Sequence, residues 1–196
     1  RVAGYIYDAA GRRTQAITYS TAYTAGLTGV QGLTALQSWA TANANANDLV
    51  TNYSYDADGN LVYTVDPADA VTRNIYDSFG RVVSTIRYKA PYTVASPQSA
   101  ATMDTWATNN ASIGAISTRT VYDKAGRATY TIDPVGAVCA YVYDALGRVT
   151  QTTEYAMPNT SSGVQTAAQV AAWISSNGSA DDRVTNTVYA YSGTGV

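Results

Sequence analysis

The sequence predicts a mainly β protein: tandem antiparallel β-hairpin repeats forming a continuous twisted sheet, with a short helical insert in every second unit. Three observations lead there. The phrase Tyr-Asp-x-x-Gly occurs five times in 196 residues. Its spacing alternates regularly between long and short. The stretches between copies carry Tyr, Thr, Val and Ile at period two, as half-buried strands do.

The copies read IYDAAGRR, SYDADGNL, IYDSFGRV, VYDKAGRA and VYDALGRV. Their anchors Asp8, Asp56, Asp77, Asp123 and Asp144 stand 48, 21, 46 and 21 residues apart. Trp39, Trp106 and Trp173 are each 67 apart, as are Asp66 and Asp133 of two Asp-Pro pairs. A worn sixth copy, YAYSGTGV, puts Ser192 where the next Asp belongs. A fixed period of this kind marks an array of stacked units. Residues 1–196 are therefore expected to be one array, with superunits of about 67 residues. Beginning at Arg1 rather than Met, the chain is expected to be an excerpt of a longer protein or a processed product.

Each element follows from its residues. The turn motif comprises Tyr7, Asp8, Gly11 and Arg12; Tyr55, Asp56 and Gly59; Tyr76, Asp77, Gly80 and Arg81; Tyr122, Asp123, Gly126 and Arg127; and Tyr143, Asp144, Gly147 and Arg148. Asp is expected to accept hydrogen bonds from backbone N–H groups two or three residues on. Gly supplies the positive φ at the end of the loop. Asp133-Pro134-Val135-Gly136 reads as a second turn, with Pro at i+1 and Gly at i+3. A short unit is thus a two-stranded step with a turn at each end.

Long units replace the Asp-Pro turn by an insert, near 28–46, 96–112 and 164–178. Each is expected to hold a helix of two to four turns. In the third, Thr166 and Gln169 fit a capping box and Gly178 a helix stop. In the second, Ser96 and Pro97 read as N-cap and first helical position. Leu36, Met103 and Val170 each stand three residues before a Trp, on one helix face. Trp39, Trp106 and Trp173 are the expected insert anchors, each the core of its own unit.

Composition excludes several function classes. There is no histidine, the commonest general base and metal ligand. The single cysteine, Cys139, allows no intrachain disulfide. A net charge of −2 offers no field for a phosphate backbone, and no apolar run approaches a membrane span. No catalytic, metal or cofactor site is expected. DADGN resembles a calcium loop, but Gly59 falls at position 4 and Pro67 at position 12, so it reads as a variant turn. Arg12, Arg81, Arg127 and Arg148 each follow a turn Gly. They read as neighbouring-turn ion pairs or stacking on Tyr, against an anionic ligand track. The 17 Tyr residues read as strand packing, against a sugar-binding platform. Few charges, one Cys and many Thr, Ser, Asn and Tyr suit a bacterial extracellular surface.

The phrases YDAAGRR, YDSFGRV, YDKAGRA and YDALGRV, with DPVG ahead of the last, resemble the RHS/YD-repeat family. That family includes bacterial toxin-encapsulating shells, the shell component of insecticidal toxin complexes, and teneurin adhesion receptors. The resemblance implies a ribbon of antiparallel strands spiralling around a hollow interior. It also implies, in toxin systems, a C-terminal cargo released by an aspartyl autoprotease. Asp133-Pro134-Val135-Gly136 shares the protease's Asp-Pro-x-Gly outline but lies between two ordinary repeats, so it reads as a turn. The regular helical insert departs from the shells. The expected function is a non-catalytic scaffold, the wall of a hollow β-shell or an extracellular fibre within a larger secreted or surface protein. The alternative is an adhesion or carbohydrate-binding module. Expected partners are neighbouring repeats of the same or identical chains, with an enclosed toxin domain or a surface glycan as further candidates.

Overall fold

The computed structural model of the chain describes residues 2–24, 29–94 and 96–190. Ser192, in the worn sixth copy, lies outside the described residues. Tyr189, however, takes the motif tyrosine's place against Arg148 and Val149, which puts Ala190 rather than Ser192 at the Asp position. The strands are β1 Ala3–Tyr7, β2 Arg13–Thr18, β3 Leu49–Tyr55, β4 Leu61–Val65, β5 Ala70–Tyr76, β6 Val82–Pro91, β7 Ala115–Tyr122, β8 Ala128–Ile132, β9 Val138–Tyr143, β10 Val149–Glu154 and β11 Arg183–Asn186. The helices are α1 Gly29–Asn43, α2 Ala100–Asn109 and α3 Ala167–Asn177. Strand order follows chain order from β1 to β11 in one 11-stranded sheet, and the pairs described are antiparallel. The expected fold class is the observed one.

Strand geometry explains the placement of turns and helices. Within each compact unit successive strands run in opposite directions, so its described Tyr-Asp turns fall at one end of the hairpins and its helices and Asp-Pro turn at the other. The chain divides into two compact units, residues 1–73 with 87–115 and residues 74–86 with 116–196; β5 and β6 run through both.

Each unit has its own core. In the first, Tyr63, Val65 and Val71 of the Asp-Pro hairpin pack on Met103 and Ala107 of α2, with Tyr92. In the second, Ile132 and Val138 of the Asp-Pro hairpin pack on Val170 of α3, with Val121. Both helices therefore reach back over the Asp-Pro hairpin that precedes them. Met103 and Val170 are fully buried.

The tryptophans flank the cores rather than centre them: Trp106 and Trp173 pack against the clusters of their own units. Trp39, Trp106 and Trp173 are each only partly buried. Trp106 lies edge-to-face on Tyr88 and Tyr92, with centroids 5.2 and 5.5 Å away. Trp39 sits likewise on Tyr19 and Tyr23, and Trp173 on Tyr155. The physical reason is size and polarity. The slender residue three positions earlier fits under the helix axis, while the indole suits a rim of tyrosine edges with polar tips in water.

Helix ends also differ in part from expectation. The capping box of Thr166 and Gln169 is present, and Gly178 ends α3, though with extended φ −62 and ψ 139. The N-cap of α2 is Ser99 rather than Ser96: its hydroxyl accepts from Thr102 N–H at 3.1 Å. Serines at 96 and 99 offer the same chemistry, and only tertiary packing selects the start.

Candidate functional site

The repeated turn is where the sequence concentrates its chemistry. In the turn at Asp123, Gly126 N–H donates to the Asp123 carbonyl at 3.1 Å and Asp123 N–H donates to the Arg127 carbonyl at 2.8 Å. Gly126 has φ +83, and the ladder register shifts beside it, as in a G1 bulge. The carboxylate organises the loop from inside. Asp123 Oδ1 accepts from Ala125 N–H at 2.8 Å and from Arg127 N–H at 2.9 Å. These donors lie two and four residues on, not two or three, because the carbonyl already takes the N–H three residues on. The turns at Asp8, Asp77 and Asp144 repeat the arrangement.

Arginine acts twice. Its first contact is within its own turn: Arg127 Nε donates to Asp123 Oδ2 at 2.8 Å, with equivalents at Arg12, Arg81 and Arg148. The ion pair is thus intra-turn, which corrects the expectation of pairs between neighbouring turns. The Asp backbone direction places its second oxygen four residues ahead, within reach of that guanidinium. The Arg12 N–H and guanidinium hold the Asp8 carboxyl below its ordinary range, and the Arg127 and Arg148 groups do the same for Asp123 and Asp144. At Asp77 the Arg81 guanidinium is the leading cause.

The second contact reaches the next turn. Arg12 lies over the Tyr55 ring at 4.9 Å, Arg81 over Tyr122 at 4.6 Å, Arg127 over Tyr143 at 4.5 Å and Arg148 over Tyr189 at 4.3 Å. Arg12, Arg81 and Arg127 also donate through Nη1 to the carbonyl of the next turn's Asp, at 3.2, 3.3 and 3.4 Å. The tyrosine returns the contact. Tyr55, Tyr122, Tyr143 and Tyr189 hydroxyls donate to the carbonyls of Arg13, Val82, Ala128 and Val149, each one residue past the stacking Arg. At these four steps the Arg and the Tyr of the turn it reaches are therefore engaged with one another's turns. At the Asp56 turn Asn60 replaces Arg and donates its amide to Asp56 Oδ2 at 2.9 Å. Both Asp56 oxygens accept from Asn60, so DADGN is a turn.

Sequence reasoning missed several parts. The Asp-Pro turns are the same turn: Asp133 Oδ1 accepts from Val135 and Ala137 N–H, and Gly136 has φ +90. At the first Asp-Pro turn Asp69 takes the glycine's place at φ +61. Thr129 and Thr150 hydroxyls, two residues past Arg, donate back to Val121 and Val142 carbonyls, visible as a recurrent Gly-Arg-x-Thr. Tyr63 donates to Asp104 at 2.6 Å while Arg73 pairs with the same carboxylate at 2.7 Å, tying α2 to its hairpin. Burial and that bond push the Tyr63 hydroxyl far above its ordinary pKa. Arg119, almost fully buried, donates to carbonyls of Ser161 and Asn159 and to Gln165. Its place four residues before the motif Asp is shared by Arg73, ahead of Asp77.

Among the described residues, no group of three or more His, Cys, Asp or Glu is placed to hold a metal ion. Among them no helix is long and apolar enough to cross a membrane.

The fold and its interlocked turns define a structural repeat. Residues 122–156 match the family model of the RHS Repeat, so the resemblance read from the Tyr-Asp phrases holds over that stretch. It spans the turns at Asp123, Asp133 and Asp144. No curated protein matches the chain. Among solved structures, the crystal structure of TcdB2-TccC3-TEV is 16% identical, over 78% of this chain and 8% of that one, with a TM-score of 0.43. That of TcdB2-TccC3 without its hypervariable C-terminal region is 18% identical, over 77% and 7%, with a TM-score of 0.34. The chain thus spans less than a tenth of the length of these structures.

Proposed function

We propose that the chain is a non-catalytic length of structural wall, built to be extended by stacking and belonging to a larger secreted or surface bacterial protein. In that protein it forms the side of a hollow β-shell or the body of an extracellular fibre. The observation that carries this is the reciprocal Arg–Tyr clasp. At four of the five Tyr-Asp turns the Arg is used on the adjacent turn's ring, and at three of these also on its backbone. In such an array each unit stabilises its neighbours, and stability sums over units and interfaces. The stacked guanidinium also occupies a face of Tyr55, Tyr122, Tyr143 and Tyr189 that a sugar platform would need, which favours the wall over the carbohydrate module.

The test is an in-frame duplication of residues 56–122, one whole superunit. A wall segment accepts it, stays soluble and monomeric, keeps its far-ultraviolet spectrum per residue, and unfolds at an equal or higher urea midpoint. A domain with a closed core would be disrupted by 67 inserted residues, and loss of folding on duplication would refute the reading. Shell and fibre separate in the parent protein: only a shell protects a following segment from protease.

A further inference from the structure

Arg119 is a buried cation without a counter-ion. It is 6% exposed, and among the described residues no carboxylate pairs with it. Burial pushes its guanidinium below the ordinary value, and no facing negative charge offsets that. Nη1 donates to the Ser161 carbonyl and to Gln165 Oε1, and Nη2 donates to the Asn159 carbonyl. Its Nε is buried with no protein acceptor. Asn159, 0% exposed, adds a second donor of this kind, Nδ2, while its Oδ1 accepts from Ser161 N–H.

Comparable positions differ. Arg73, likewise four residues before a motif Asp, is neutralised by Asp104. Asn52 and Asn186, 67 residues to either side of Arg119, are neutral and bond through their amides to Gln15 and Gln151. The loop has changed as well. Asn159 makes to Gly136 the backbone bond that Tyr92 makes to Asp69. Where the Tyr92 ring lies edge-to-face on Trp106, Asn159 offers Trp173 no ring. Beneath the loop before α3, a ring has thus become a short amide and a neutral amide has become a cation.

We infer that Arg119 Nε and Asn159 Nδ2 hold one small monovalent anion of the halide class, chloride, which pins the loop at 156–166 to the sheet. Three requirements define this ligand. It carries negative charge, because a buried cation without a counter-ion is strongly destabilising. It accepts hydrogen bonds without donating any. A water would need acceptors for its own O–H groups where the oxygens of Asn159, Ser161 and Gln165 already serve the guanidinium. It is small, because both donors are closed to solvent.

The experiment follows thermal unfolding of the full chain in sodium chloride and in sodium gluconate, whose anion is too bulky to enter, at equal ionic strength. Beyond half-saturation, each tenfold rise in chloride raises the melting temperature by about 3–5 °C. Asn159→Asp, which supplies a carboxylate beside Arg119 from within, removes that chloride response. Crystals of the unaltered chain soaked in sodium bromide show an anomalous-scattering peak in contact with Arg119 Nε and Asn159 Nδ2, a readout that stands even if the variant fails to fold. Equal melting temperatures in the two salts, an equal chloride response in Asn159→Asp, or a water where bromide is expected would overturn the site. None of these outcomes bears on the wall reading, which the duplication tests.

Discussion

Gly136 and Gly147 end two versions of the same turn, yet substitution by alanine should cost very different amounts. Both have positive φ, +90 and +80, where an L-residue pays about 1–2 kcal/mol. At Gly147 a Cβ would meet nothing within 4 Å. At Gly136 it would lie 2.8 Å from the Asn159 carbonyl oxygen and 3.2 Å from that residue's backbone carbon and nitrogen. That backbone cannot yield freely. Asn159 is fully buried and donates its N–H to the Gly136 carbonyl at 2.7 Å. Its own carbonyl accepts from Arg119 Nη2 at 3.4 Å, and Arg119 is further held by Ser161 and Gln165. Displacing it forfeits hydrogen bonds worth about 0.5–1.5 kcal/mol each. Gly147→Ala should therefore cost about 1–2 kcal/mol and Gly136→Ala about 3–4 kcal/mol. Urea unfolding of the full chain at a constant m-value reads the difference directly. Hydrogen exchange should show the excess loss within 156–166. Equal costs at the two glycines would mean that the loop before α3 does not seat on the Asp-Pro turn.

Three further outcomes follow from the contacts. Met103→Ala should cost about 2–4 kcal/mol, because the side chain is fully buried among Tyr63, Val65 and Val71. Trp106→Phe, which keeps an aromatic edge at the rim, should cost less in the same urea series. Arg127→Met should lower the unfolding midpoint and raise hydrogen exchange in the following turn, residues 144–148, as much as in its own. A loss confined to 123–127 would show that the stacking on Tyr143 carries nothing. The carboxyls of Asp8, Asp77, Asp123 and Asp144 are all held below their ordinary value of 3.8. Their stabilisation is complete above that unfolded-state value and is lost as pH falls through the lower folded values. The urea midpoint should be flat from pH 7 to about 5 and fall below about pH 4, and an Asp123→Asn, Asp144→Asn variant should lose less over that range.

Much of this fold was legible because its information is local and repeated. A hairpin needs an Asp to gather nearby N–H groups and a Gly at positive φ, and both show as Tyr-Asp-x-x-Gly. Strand direction within each compact unit then follows from counting turns, which places helices at one end and Tyr-Asp turns at the other. The capping box of α3 was readable for the same reason: donor and acceptor lie three residues apart. What tertiary structure alone decided depends on residues distant in sequence. Ser99 rather than Ser96 starts α2, and Met103 rather than Trp106 fills the core, because hairpin β4–β5 dictates how the helix lies. Arg127 could be paired with an Asp on paper, but which Asp is a matter of reach. The carboxylate four residues back is near enough for Nε, and the remaining guanidinium face is left for Tyr143. Arg119 shows the limit most clearly. Arg73 holds the same place in its own repeat but pairs with Asp104, whereas the burial of Arg119 against the carbonyls of a loop some 40 residues away exists only once α3 has folded back onto its hairpin.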